Sequence, residues 1–132
     1  MSGNLPGGSP ETCTAQTEKF YAGENRLVLH AQAEVFLPEG NAMRAPGEAS
    51  GLMALEIAMD EMAERLDMDP VEFRIQNDTQ VDPADPSKKF SQRRFVECLR
   101  TGAEAFGWKD RNKAPGGLRE GEWLIGHGMA GG

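Results

Sequence analysis

The sequence predicts an α+β chain of two or three strands and about three helices joined by long loops, and three observations carry that prediction. Apolar and polar residues alternate from Arg26 to Phe36, as a half-buried strand requires. Leu52, Leu55, Met59, Met62 and Leu66 recur at three- and four-residue steps, as a core helix requires. The 16 glycines and 8 prolines among 132 residues leave much of the chain to loops.

Residues 1–17 are rich in glycine, proline and small polar residues and read as an irregular opening arm. In the strand at Arg26 to Phe36, Leu27, Leu29, Ala31, Ala33 and Val35 form the apolar face and His30 points to the polar one. No acid or base partner for His30 is in sight, so it reads as a surface histidine. Pro38-Glu39-Gly40-Asn41 ends the strand. The core helix runs roughly from Ala49 to Leu66, with Ile57, Ala58 and Ala63 widening its buried stripe. Its other face carries Glu56, Asp60, Glu61 and Glu64; clustered carboxylates can bind metal, but on an exposed face they are usually solvated, and the methionines read as packing.

Asp69 before Pro70 is an N-cap followed by proline at the first helical position, opening a short helix to about Gln76. Asn77 to Lys89 lacks apolar periodicity and predicts a long surface loop; Asn77-Asp78-Thr79 fits the glycosylation pattern but reads as a turn. Ser91 can cap a third helix with Phe95, Cys98, Leu99, Ala103 and Phe106 on one face and Gly107 closing it. Lys88, Lys89, Arg93 and Arg94 crowd its start, where cations oppose the dipole, and the carboxylate face of the first helix would balance them. Residues 109–121 predict a second loop and Glu122 to Met129 a final strand. That strand runs straight into Ala130-Gly131-Gly132, so the chain reads as a piece of something larger.

A net charge of −7 argues against nucleic-acid and anionic-membrane partners. Cys13 and Cys98 lack neighbours at ligand spacing and read as free thiols, so neither a disulfide framework nor a zinc site is expected. No basic start followed by an apolar run marks a signal peptide, which points to the cytoplasm on these residues alone.

The most informative stretch is Met43-Arg44-Ala45-Pro46-Gly47-Glu48-Ala49-Ser50-Gly51. It sets one guanidinium, one rigid proline and a glycine before a helix N-terminus, where free amides and the dipole favour anions. Arginine adds a planar fork of donors suited to phosphate, carboxylate or polarised oxygen. On spacing alone the same residues also read as ordinary helix-start chemistry with a solvated arginine.

Three segments then match a family in order and spacing. Asn41-Ala42-Met43-Arg44-Ala45-Pro46-Gly47-Glu48-Ala49, Leu55-Glu56-Ile57-Ala58-Met59-Asp60-Glu61 and Asp69-Pro70-Val71-Glu72-Phe73-Arg74-Ile75-Gln76-Asn77 resemble the molybdopterin-binding large subunit of the xanthine dehydrogenase and aldehyde oxidase family. The likeness is greatest to its bacterial periplasmic aldehyde-oxidising branch and extends from Gly3-Asn4-Leu5-Pro6-Gly7-Gly8 to Gly126-His127-Gly128. The resemblance implies a single partial molybdopterin-binding domain over residues 1–132, with molybdopterin cytosine dinucleotide and molybdenum as cofactor. It implies cofactor contacts at Arg44 and Ala45, a substrate wall at Pro46, and oxidation of aldehydes to carboxylic acids with water as oxygen source.

The implied partners are the remainder of the large subunit together with iron–sulfur and FAD subunits, and the implied compartment is the periplasm. The family's cofactor-cradling glycine segments and its Gly-Val-Gly-Glu base lie outside the matched region, so no residue here is assigned a catalytic or metal-ligating role. Taken alone, the chain is expected to bind no cofactor and to be inactive. The alternative is a free-standing, non-catalytic binding or structural module descended from that subunit.

Overall fold

A computed structural model of the chain describes residues 11–33, 36 and 43–132. Four helices and two hairpins make up its regular structure: α1 (Ala15–Lys19), α2 (Glu48–Arg65), α3 (Pro70–Gln76), β1 (Val81–Asp82), β2 (Asp85–Lys89), α4 (Phe95–Phe106), β3 (Leu118–Glu120) and β4 (Trp123–Ile125). A 3₁₀ turn at Trp108–Asp110 follows α4. The architecture is α+β, as the composition and periodicities predict. Among the described residues no helix is long and apolar enough to cross a membrane.

The strands lie elsewhere than the alternation at Arg26 to Phe36 suggests. Among the described residues 26–33 there is no strand, and Leu27 and Leu29, assigned to the buried face, are 82% and 75% exposed. Strand backbone needs a paired neighbour for its amides and carbonyls, and both sheets are two-stranded hairpins, neither of which takes residues 26–33 as a third strand. Residues 1–10 of the opening arm, Glu34, Val35 and the Pro38 to Asn41 turn lie outside the described residues. The expected loop at Asn77 to Lys89 holds the β1–β2 hairpin, with a register shift between Val81 and Asp82. The second expected loop ends in β3, which pairs with β4 through Leu118 to Ile125, Arg119 to Leu124 and Glu120 to Trp123.

α2 ends as a Schellman motif. Asp67 takes φ 52°, the Met68 amide donates to the Ala63 carbonyl at 2.9 Å, and the Asp67 amide donates to Glu64 at 3.1 Å. Two residues later Asp69 caps α3, its carboxylate accepting from the Val71 amide at 2.9 Å with Pro70 in the first turn. The same carboxylate accepts from Trp108 Nε1 at 3.0 Å and Arg111 Nη2 at 2.8 Å, and the Arg111 guanidinium stacks 3.6 Å over the Trp108 ring. Burial pushes the Asp69 pKa up, but the bonds from Arg111, Trp108 and Val71 outweigh it and hold the carboxyl below its ordinary 3.8.

Beneath this cap lies the apolar core. Val71, Leu99 and Trp108 are buried together, with Ile75, Phe95, Ala103 and Met129 packed around them. On α4 the inward stripe is Phe95, Leu99 and Ala103; Cys98 and Phe106 are exposed, which corrects the broader face assigned to that helix. Arg94, and not Ser91, occupies the N-cap of α4, while Gly107 closes it at φ 75°. Arg93 bonds Asp78 at 2.7 Å and sits 5.0 to 5.4 Å from the rings of Phe95, Phe20 and Phe90. Lys88 pairs with Asp85 and Arg94 with Glu97, so among the described ion pairs none joins this basic cluster to the α2 carboxylates.

Those carboxylates have a different partner. Arg74 of α3 is fully buried, and its Nε donates to Glu56 Oε2 at 2.8 Å. Its Nη2 donates to the Glu56 carbonyl and its Nη1 to the Pro70 carbonyl, both at 3.1 Å, while Nη1 also lies 2.8 Å from Asp60 Oδ1 as an ion pair without hydrogen-bond alignment. Glu56 is buried as well: it accepts from Tyr21 Oη at 2.6 Å and from the Gly131 amide at 2.5 Å. The reading of Glu56 as solvated is therefore corrected. Ile57 and Met62 of the same helix and its C-cap Leu66 are exposed, against the buried stripe expected for them, and the buried positions of α2 are Gly51, Glu56 and Ala63. Burial, with the bond to Glu56, raises the Tyr21 pKa well above its ordinary value and keeps the phenol a donor.

Removing Glu56 strands the Arg74 charge in the interior, so Glu56→Ala should cost about 3–5 kcal/mol in urea unfolding. A cost below about 1 kcal/mol would show that water replaces the carboxylate. Because folding lowers the Asp69 pKa, its contribution is fully present above pH 3.8 and is lost as the pH falls below that value through the folded-state pKa. Thermal unfolding followed from neutral to acid pH should therefore show an acid limb that Asp69→Asn flattens; an unchanged limb would assign it to other carboxylates.

Candidate functional site

The loop from Met43 to Gly47 has a backbone shape that its sequence demands only in part. Pro46 fixes its own φ and disfavours helical backbone at the residue before it. Ala45 answers with φ 60° and Gly47 follows at φ 70°, so two positive-φ residues flank the proline. A left-handed alanine costs about 1–2 kcal/mol and persists only where its surroundings impose it. They do so through the first turn of α2: the Ala45 carbonyl accepts from the Ala49 amide at 3.2 Å, and the Gly47 carbonyl accepts from the Gly51 amide at 2.9 Å and Ser50 Oγ at 3.2 Å.

The loop thereby turns Arg44 and Pro46 outward, both exposed, while Ala45 is half-buried and Gly47 buried. Among the described residues no carboxylate forms an ion pair with Arg44. Arg44 lies four residues before the first residue of the 18-residue α2, and its guanidinium is a planar fork of donors suited to an oxygen-rich or anionic group. No group of three or more His, Cys, Asp or Glu side chains that could hold a metal ion is present among the described residues.

The three residues singled out in the sequence stand together at this one turn. Others do not join them. His30 is exposed on the 22–33 segment, and Cys13 and Cys98 are free thiols, the first half-buried and the second on the outer side of α4. An open groove of about 800 Å³ lined by Asp69, Arg100, Trp108 and Arg111 lies at the α3–α4 corner and contains no residue of the loop. It is an open crease between helices, lined by Val71, Ala103 and Trp108 as well as by charged side chains.

Tyr21, Glu56, Arg74 and Gly131 were not visible as a unit. A faint signal existed for Arg74, a cation between the apolar Phe73 and Ile75, and for Tyr21, the chain's one tyrosine. Nothing in the periodicity of α2 separates Glu56 from its solvated neighbours.

Residues 2–78 match the family described as the molybdopterin cofactor-binding domain. The chain is 66% identical over 131 residues to the aldehyde oxidoreductase molybdenum-binding subunit PaoC of Escherichia coli O157:H7, an alignment covering 99% of this chain and 18% of that protein. The corresponding subunit of strain K12 is 67% identical over the same shares. The xanthine dehydrogenase molybdenum-binding subunit of Escherichia coli O157:H7 is 34% identical over 91 residues, 64% of this chain and 12% of that protein. The chain thus spans 18% of the length of the PaoC relatives it matches. It belongs to the molybdopterin cofactor-binding domain family.

Proposed function

We propose that this chain walls one side of a molybdenum-cofactor site in an enzyme that oxidises aldehydes to carboxylic acids, taking the added oxygen from water. Arg44 and Ala45 face the cofactor, in its molybdopterin cytosine dinucleotide form, and Pro46 faces the substrate. The observation that carries this reading is the paired exposure of Arg44 and Pro46 on a strained turn, with Ala45 at φ 60° directly over the first turn of α2. The relatives named as aldehyde oxidoreductase subunits support the substrate class.

The cofactor, when bound, supplies the two-electron oxidation chemistry. The guanidinium of Arg44 holds an oxygen of the bound group and offsets negative charge that develops there. The ring of Pro46 is a rigid, waterless wall against which a carbonyl is oriented at little entropic cost. Ala45, whose carbonyl accepts from the Ala49 amide, ties the turn that carries both side chains to the start of α2. The aldehyde gains one oxygen from water as two protons and two electrons leave, and we assign iron–sulfur and FAD subunits as the electron route.

In the molybdenum-loaded holoenzyme carrying this chain, Arg44→Ala should lower kcat/KM by about 10²-fold or more. Thermal stability should change by no more than about 0.5 kcal/mol, as for exposed positions generally. A variant with normal kcat would reduce Arg44 to a helix-start residue.

A further inference from the structure

We infer that Gly51, assisted by Gly47, is a positioning residue for Arg44, acting through a backbone-to-backbone seat against Glu11–Cys13. The inference rests on the placement of Arg44 at the cofactor proposed above. A Cβ at Gly51 would fall 1.8 Å from the Cys13 carbonyl oxygen and 2.7 Å from its carbon, and one at Gly47 would fall 2.9 Å from the Glu11 carbonyl carbon and 3.0 Å from the Cys13 nitrogen. The two glycines are one helical turn apart and hydrogen-bonded to each other, so the start of α2 lies flat on the main chain of residues 11–13. Most of these neighbours are main-chain atoms, and none of the contacts at Gly51 can be relieved by a side-chain rotation.

The opposing chain cannot easily yield. The Cys13 amide is bonded to the Glu11 carbonyl at 3.0 Å, α1 follows at once, and Tyr21 is bonded to Glu56, one and a half turns further along α2. Arg26 holds the end of α1 through the Thr17 and Glu18 carbonyls at 2.6 and 2.7 Å, and Arg93 holds the Phe20 carbonyl at 2.7 Å. The piece free to move is the first turn of α2 and the loop hydrogen-bonded to it. A methyl at Gly51 therefore displaces the turn by about 1.5 Å before ordinary van der Waals contact is restored, and Arg44 and Pro46 travel with it. A displacement of that size at a reacting centre costs about 10²-fold in rate.

The test is a double-mutant cycle in the molybdenum-loaded holoenzyme, with kcat expressed per bound molybdenum, together with crystal structures of the parent and of Gly51→Ala, in which Arg44 should be displaced by about 1 Å or more and an undisplaced Arg44 would overturn the positioning role. Gly51→Ala should lower kcat by about 10²-fold, yet cost less than about 3-fold more when introduced into Arg44→Ala, because both changes remove the same interaction. A purely structural defect would lower both backgrounds by the same factor, and that multiplicative result overturns the positioning role. Should Gly51→Ala fail to fold, Gly47→Ala carries a smaller overlap and enters the same cycle, where the same two outcomes decide. Gly102→Ala on α4, where nothing lies within 4 Å of the added carbon, should leave kcat within about 2-fold. An Arg44→Ala enzyme of unchanged kcat overturns the proposed site itself, whereas an impaired Arg44→Ala with a multiplicative cycle overturns only the role of Gly51.

Discussion

The buried ion pair between Glu56 and Arg74 is the interaction on which the rest of the structure depends. Two charges removed from water are costly unless every donor and acceptor is met, and here they are met from four directions. Tyr21 arrives from the N-terminal segment, the Gly131 amide from the last residues, the Pro70 carbonyl from the start of α3, and the Glu56 carbonyl from α2 itself. The pair thus ties together pieces of chain up to 75 residues apart. The apolar core around Val71, Leu99 and Trp108 is small for a chain of this length, so a directional polar hub has a correspondingly larger part in fixing how α2 sits on α3.

From that hub the constraint runs outward to the loop. Glu56 holds Tyr21, Tyr21 ends the segment begun by Glu11–Cys13, and that segment is the surface on which Gly47 and Gly51 rest. Positive φ at Ala45 is the local cost of the arrangement. The result is an exposed arginine and proline on a turn hydrogen-bonded to the start of α2. Membership of the molybdopterin cofactor-binding domain family gives this geometry its chemical setting.

Local chemistry was legible in the sequence wherever one short segment decides the outcome. Asp69 and Pro70 announce the start of α3, Gly107 announces the end of α4, and the three- and four-residue steps announce α2 within a residue at either end. Long-range choices were not. Alternation at Leu27 and Leu29 describes a strand only if a partner strand exists, and here the hairpins pair internally. The face of α2 was misread because a glutamate with a buried arginine opposite it looks, in one dimension, like any solvated glutamate. Arg44, Ala45 and Pro46 were legible as a loop, but the positive φ of Ala45 was not, because a following proline favours extended backbone there. The close seat of Gly51 on Cys13 involves residues 38 positions apart and left no mark in either local pattern.

The account stands on one placement, Arg44 carried by this scaffold to the cofactor. A high-resolution structure of the molybdenum-loaded holoenzyme measures it directly. The expected result is the Arg44 guanidinium within roughly 2.7–3.2 Å of an oxygen of the cofactor or its substrate, with the Pro46 ring lining the same cavity. Arg44 turned to bulk solvent, or paired with a carboxylate remote from the cofactor, would contradict it.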